Sequence, residues 1–175
     1  MGSVEPFPTI ASTRLRLRPA TLDDLPALVA IAREDDVRAW WGEPDEAELH
    51  EAIAQPDDAV VLVIEVDGEP AGVLQVAEEA DPMYRRAGLD IFVGARWTGR
   101  GIGREAITAA VRHLFDARDH HRITIDPAAA NARAIRCYEA VGFERVGVMR
   151  QYERADDGTW RDGLLLELLR DRWSG

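Results

Sequence analysis

Trp97-Thr98-Gly99-Arg100-Gly101-Ile102-Gly103-Arg104 sets three glycines at alternate positions just ahead of an amphipathic run. Ile107, Val111, Leu114 and Phe115 share one face at the 3.6-residue period, so that run is a helix. A short apolar strand, Leu89 to Val93, precedes the glycines. Glycine at a helix entrance lets the backbone approach a ligand closely, and the first-turn N–H groups have no intrahelical partner. With the positive end of the helix dipole, they make a site for phosphate. The stretch reads as strand, phosphate cradle and helix, and the question is whose phosphate it holds.

Upstream, Leu15 and Leu17 alternate with arginines between Arg14 and Arg18, which predicts a strand. Thr21 caps a helix carrying Leu25, Leu28, Val29 and Ala32, and a second short helix is expected over Asp45 to Ala54. Val60 to Val66 is a buried strand, Asp67-Gly68 a hairpin turn and Ala71 to Ala77 the return, with Tyr84 to Val93 completing a meander. Downstream come a strand over Arg122 to Asp126 and a helix from Asn131 through Val141, stopped by Gly142. Two last strands, near Glu144 to Arg150 and Gly163 to Leu169, flank the turn Asp156-Asp157-Gly158. Repeats and linkers are absent, so residues 1–175 are expected to form one α/β domain, with 1–13 as a flexible N-terminal segment.

A net charge of −11 disfavours nucleic acid and anionic membranes and favours cationic ligands. Carboxylates bunch at Glu34-Asp35-Asp36, Glu43 to Glu48, Asp57-Asp58 and Glu78-Glu79, where solvation alone explains most of them. Met1 to Pro8 lacks the features of a signal peptide, Pro6 stands where a myristoylation signal wants Ser or Thr, and the apolar run Ala59 to Ile64 is too short for a bilayer. A single cysteine, Cys137, fits a reducing compartment, so a cytoplasmic protein is expected.

Three phosphates compete. A nucleotide-triphosphate loop needs lysine, and the chain has none. Gly101-x-Gly103-x-x-Ala106 with Asp126 satisfies a dinucleotide fingerprint, but Gly94 to Arg100 separate it from its strand and only one βαβ crossover is present. The third is the pyrophosphate of coenzyme A. Thr98-x-x-Gly101-x-Gly103 resembles the loop [QR]-x-x-G-x-[GA] of the GNAT acyltransferases, with Thr98 departing from Gln or Arg. Asn131-Ala132-Arg133-Ala134-Ile135-Arg136-Cys137-Tyr138-Glu139-Ala140-Val141-Gly142-Phe143 resembles that superfamily's N-x-x-A-I-x-x-Y-E-x-x-G-F helix. The resemblance runs from Leu15 to Leu169. It implies the GNAT fold: a mixed, mostly antiparallel twisted sheet of about 6–7 strands with about 4 helices and splayed central parallel strands. It also implies acetyl-CoA as co-substrate, held by Phe92, Val93, Thr98, Gly99, Arg100, Gly101, Ile102, Gly103, Arg104, Asn131 and Arg136.

Transfer of acetyl from a thioester to an amine needs a base, a donor for the carbonyl oxygen and a proton for the departing sulfur. Asp90 is the lone carboxylate in Leu89 to Val93, expected to take the ammonium proton; a solvated face or an arginine partner is the alternative. A backbone N–H near Phe92 or Val93 is the expected oxyanion donor. Tyr138 is the expected acid toward sulfur, as in relatives, with a core tyrosine as the alternative. Cys137 has no histidine placed to activate it, and His50, His113, His120 and His121 lack ligand spacing, so neither a covalent intermediate nor a metal is expected.

For the acceptor, Trp40-Trp41-Gly42-Glu43, Asp90 and Asp126-Pro127 resemble segments lining the drug site of aminoglycoside 6'-N-acetyltransferases. The implied substrate-binding set is Trp40, Trp41, Glu43, Asp90 and Asp126, with carboxylates holding ammonium groups and aromatic rings packing the sugars. Tyr152 and Trp160 are further candidates for the cleft border, and either tryptophan of the pair could instead be core. The wider group also acetylates protein N-termini and siderophore amines, and a non-catalytic acyl-CoA-binding module remains a third reading. The expected partner is a cationic small-molecule amine bound by a monomer or homodimer.

Overall fold

Strand β3 (Ala59–Val66) is β-branched almost throughout, and its last six residues are buried, as befits a strand covered on both faces. Around it lies an eight-stranded sheet in the order β1-β2-β3-β4-β5-β6-β8-β7. The other strands are β1 (Ile10–Ala11), β2 (Leu15–Pro19), β4 (Glu69–Glu79), β5 (Arg86–Val93), β6 (Arg122–Ile125), β7 (Glu144–Arg154) and β8 (Trp160–Leu169). This computed structural model describes residues 6–56 and 59–175, so Met1 to Glu5 and the acidic pair Asp57-Asp58 lie outside the described residues.

Pairing is antiparallel except between β5 and β6, which run parallel over Ala87↔Ile123, Gly88↔Thr124 and Leu89↔Ile125 only. The helices are α1 (Leu25–Ala32), α2 (Asp35–Trp41), α3 (Glu46–Ala54), α4 (Ile102–Asp116) and α5 (Ala132–Val141). One face of the sheet packs Leu17, Leu62, Ile64 and Leu74 against Ile107, Val111 and Phe115 of α4 and Ile135 and Tyr138 of α5. The opposite face packs Val61, Val63, Val73 and Phe92 against Leu28, Ala32 and Val37. No helix among the described residues is long and apolar enough to cross a membrane.

Three departures from expectation have local causes. The sheet has eight strands because Ile10–Ala11 pairs with Leu17 and Arg16, and Phe7 is buried in the main core. Ile10–Ala11 and Phe7 thus rest against the sheet and core within the segment 1–13. Five α-helices replace four because extended Glu34 (φ −62, ψ 139) ends α1 and starts α2 as a separate helix. The last hairpin is longer than expected, with register shifts in β7 between Arg145 and Gly147 and between Met149 and Glu153. Gln151 in the second shift takes a left-handed φ of 51.

Candidate active site

The cradle forms as its glycines require. Gly101, the N-cap of α4, has φ 78 and Gly99 has φ 76, the left-handed region that side chains resist. The first helical bond there runs from Glu105 N–H to Gly101 carbonyl at 3.0 Å, which leaves the N–H groups of Ile102, Gly103 and Arg104 for a ligand. Arg14, 91 residues before Glu105, braces the turn: Nε donates to Glu105 at 2.7 Å and Nη1 to the Arg100 carbonyl at 2.8 Å. The Thr98 hydroxyl turns back to the Gly94 carbonyl at 3.2 Å, which leaves the backbone N–H groups as the donors the loop presents.

Beyond Leu89 and Ile125 the pairing of β5 with β6 stops, and Asp90 to Val93 border a gap. Register decides which donors face it. Gly94 N–H donates to the Ala71 carbonyl of β4 at 2.9 Å, and Val93 stands opposite Gly72 of the same strand. Antiparallel alternation therefore turns the Phe92 N–H toward β4 and those of Ile91 and Val93 toward the gap. Of the two expected oxyanion donors, Val93 has the right direction. Phe92 meets the cleft through its ring, with Trp41 edge-on at 5.0 Å and 80°.

A cleft of about 610 Å³ runs between the splayed strands. Thr98, Gly99, Gly101, Ile102, Gly103, Arg104, Asn131 and Arg136 line it, with Tyr138 and Asp90 on its wall. Asn131 caps α5 by accepting from Ala134 N–H at 3.1 Å. Trp40, Trp41, Asp126, Tyr152, Glu153, Asp156 and Arg161 belong to the same lining. Two expected residues are not brought in. The Glu43 carboxylate faces Arg38 at 3.4 Å, and the Arg100 guanidinium lies over the Trp97 ring at 5.9 Å. Each is exposed and outside the lining. Trp160 is likewise exposed, outside the cleft.

Electrostatics divide the cleft. Solvent enters to Asp90, but protein crowds its carboxylate, and this desolvation, then Asp126 and Glu153, pushes the carboxyl up to about 7. Tyr138 is buried, and burial followed by the Asp90 charge raises its hydroxyl, which stays protonated across the working range. Tyr152 donates its hydroxyl to Asp126, and that bond raises its own ionisation to about 12. Burial pushes the Cys137 thiol up, away from the reactive thiolate. Among the described residues, no three His, Cys, Asp or Glu are arranged to hold a metal. Arg14, Glu153, Asp156 and Arg161 were not legible as site residues, since their places depend on contacts distant in sequence.

A pyrophosphate fits this cradle: free N–H groups at a helix start, no Cβ at Gly101 or Gly103, and Arg104 and Arg136 beside them. Residues 14–144 match the Acetyltransferase (GNAT) domain family. The aminoglycoside N(6')-acetyltransferase type 1 of Klebsiella pneumoniae is 32% identical over 161 residues, covering 81% of this chain and 79% of that protein. The ribosomal protein uS5-alanine N-acetyltransferase of Escherichia coli is 30% identical over 61% of this chain and 54% of its own length. Mycobacterium smegmatis RimJ, solved with CoA-disulfide, superposes with a TM-score of 0.83 at 26% identity, covering 96% of this chain and 90% of that one. The chain belongs to the GNAT family of N-acetyltransferases, whose members bind acetyl-coenzyme A.

Proposed function

We propose that this enzyme acetylates a primary amine of a polycationic small molecule, the 6'-amine of an aminoglycoside being the substrate that fits best. The observation carrying this is the joint lining of one cleft by Asp90, Asp126, Glu153 and Asp156 with Trp40, Trp41 and Tyr152. Carboxylates hold ammonium groups there while aromatic faces cover the apolar faces of sugar rings. The net charge of −11 raises the local concentration of such cations. The likeness to the Klebsiella pneumoniae aminoglycoside acetyltransferase supports the same reading.

Acetyl-coenzyme A supplies an acyl carbon activated as a thioester. Asp90, half ionised near pH 7, takes a proton from the substrate ammonium and frees the nitrogen lone pair. The nitrogen bonds to the acyl carbon while the Val93 N–H faces the carbonyl oxygen as negative charge gathers on it. As the carbon–sulfur bond breaks, the Tyr138 hydroxyl hands its proton to sulfur, the nitrogen sheds its second proton to solvent, the phenolate is reprotonated from solvent and Asp90 releases the first proton there. One proton is released per amide formed.

Acetylation of a protein N-terminus is the second reading, favoured by the match to the uS5-alanine acetyltransferase. Purified enzyme assayed for thiol release with acetyl-CoA separates them. Turnover with kanamycin or tobramycin supports the first reading; turnover confined to a peptide amine supports the second. Acetyl-CoA binding without thiol release for any amine would identify a binding module.

A further inference from the structure

The helix that carries Trp40 and Trp41 is strapped to the last hairpin through its own carbonyls. Arg161 of β8 donates from Nη1 to the Ala39 carbonyl at 3.0 Å and from Nη2 to the Trp40 carbonyl at 3.1 Å. Both lie in the last turn of α2, where carbonyls lack intrahelical partners and the dipole end is negative. A planar guanidinium meets two such oxygens at once, which an ammonium does less well. On its other side Glu153 brings Oε1 to 3.1 Å from Nη2. A second tie crosses the same seam, from Glu43 N–H to Asp156 Oδ2 at 3.0 Å. Gly42 makes room for it: a Cβ there would stand 2.8 Å from Asp156 Oδ1.

The Arg161–Glu153 ion pair is made through Nη2 alone and leaves hydrogen-bonding capacity unused. Arg161 Nε and Glu153 Oε1 are both buried without a hydrogen-bond partner among the described residues. A self-contained pair would use that donor and that acceptor on each other. What Arg161 engages fully is the end of α2. We propose that Arg161 is a positioning residue for the acceptor, holding the tryptophan helix against the β7–β8 hairpin and so fixing the width of the cleft end between them.

The inference rests on assigning that cleft end to the acceptor. It is tested with full-length Arg161→Met and Arg161→Lys, using kanamycin as acceptor and hydrogen exchange as a readout that needs no acceptor. The KM for kanamycin should rise about tenfold or more in Arg161→Met, as a misplaced binding wall requires. The KM for acetyl-CoA should stay unchanged, and Arg161→Lys should recover part of the loss. Amides at the end of α2 should exchange faster while those of α4 do not. An unchanged kanamycin KM, or a rise in both KM values together with a fall in Tm, overturns the proposal. If the wild type does not turn over kanamycin, the acceptor reading has failed. The strap is then decided by exchange alone, surviving on faster exchange confined to α2 and overturned by none.

Discussion

Asp90 should write the acid limb of the pH profile. Desolvation in the cleft is the largest cause of its displacement, followed by the charges of Asp126 and Glu153, and together they push the carboxyl to about 7. A base works only when unprotonated, so its working fraction is about one tenth at pH 6, one half at pH 7 and nine tenths at pH 8. Measured by thiol release at subsaturating acceptor, kcat/KM should climb steeply up to about pH 6.5 and flatten above about pH 7.5. Asp126→Asn removes the second cause and not the first. Its limb should move to lower pH yet stop short of the ordinary carboxylate range. Asp90→Asn should lose the limb and about 10²–10⁴-fold in rate. Stability supplies an independent check. A carboxyl raised in the folded state binds its proton more tightly there than in the unfolded chain. Its contribution therefore worsens as pH rises from the unfolded value near 4 through about 7. The wild type should lose Tm relative to Asp90→Asn across that window. An unmoved limb in Asp126→Asn, or an unaltered limb and rate in Asp90→Asn, refutes the assignment.

Four further outcomes follow from the geometry. Tyr138→Phe keeps the packing and removes the proton donor, so turnover should fall about 10²-fold at unchanged Tm; an unchanged rate makes Tyr138 purely structural. Gly72→Ala would put a Cβ into the Phe92 carbonyl, opposite Val93, and should cost several kcal/mol by thermal or urea unfolding, roughly 2–4. Trp41→Ala removes the ring set against Phe92, worth about 1 kcal/mol beyond area, and should raise the acceptor KM several-fold without touching that of acetyl-CoA. Raising ionic strength should depress kcat/KM for kanamycin, a cation drawn to a chain of net charge −11, and should not depress it for anionic acetyl-CoA.

The donor half of the cleft was written in contiguous sequence, and the acceptor half was not. Glycines spaced ahead of an amphipathic helix carry their backbone requirement with them, so Gly99 to Arg104 could be read in isolation, as could the capped helix from Asn131 to Phe143. Asp90 announced itself as a carboxylate among apolar neighbours. Choosing Val93 over Phe92 as donor instead needed the pairing of β5 with β4, which single-strand alternation does not contain. Helix α2 was hidden because its first turn is acidic and reads as solvated surface. Tyr152 and Glu153 follow the register shift after Met149, where Gln151 takes a left-handed φ. That shift breaks the period-two rule by which strand faces are assigned, so the side chains beyond it cannot be placed by counting.

The same contrast bears on how the enzyme's two substrates are held. The cradle is braced by Arg14, which bonds both the Glu105 carboxylate of α4 and the Arg100 carbonyl, around a ligand whose pyrophosphate does not vary. The acceptor wall is held by Arg161 onto the main-chain carbonyls of Ala39 and Trp40. A strap made to backbone leaves the side chains it carries free to change while their positions are kept. Replacements at Trp40, Trp41 and Asp126 should therefore alter which amine is preferred at near-constant acetyl-CoA KM, as a panel of aminoglycosides, spermidine and a peptide amine would measure. A matching rise in acetyl-CoA KM across that panel would mean that the two halves are not separately supported.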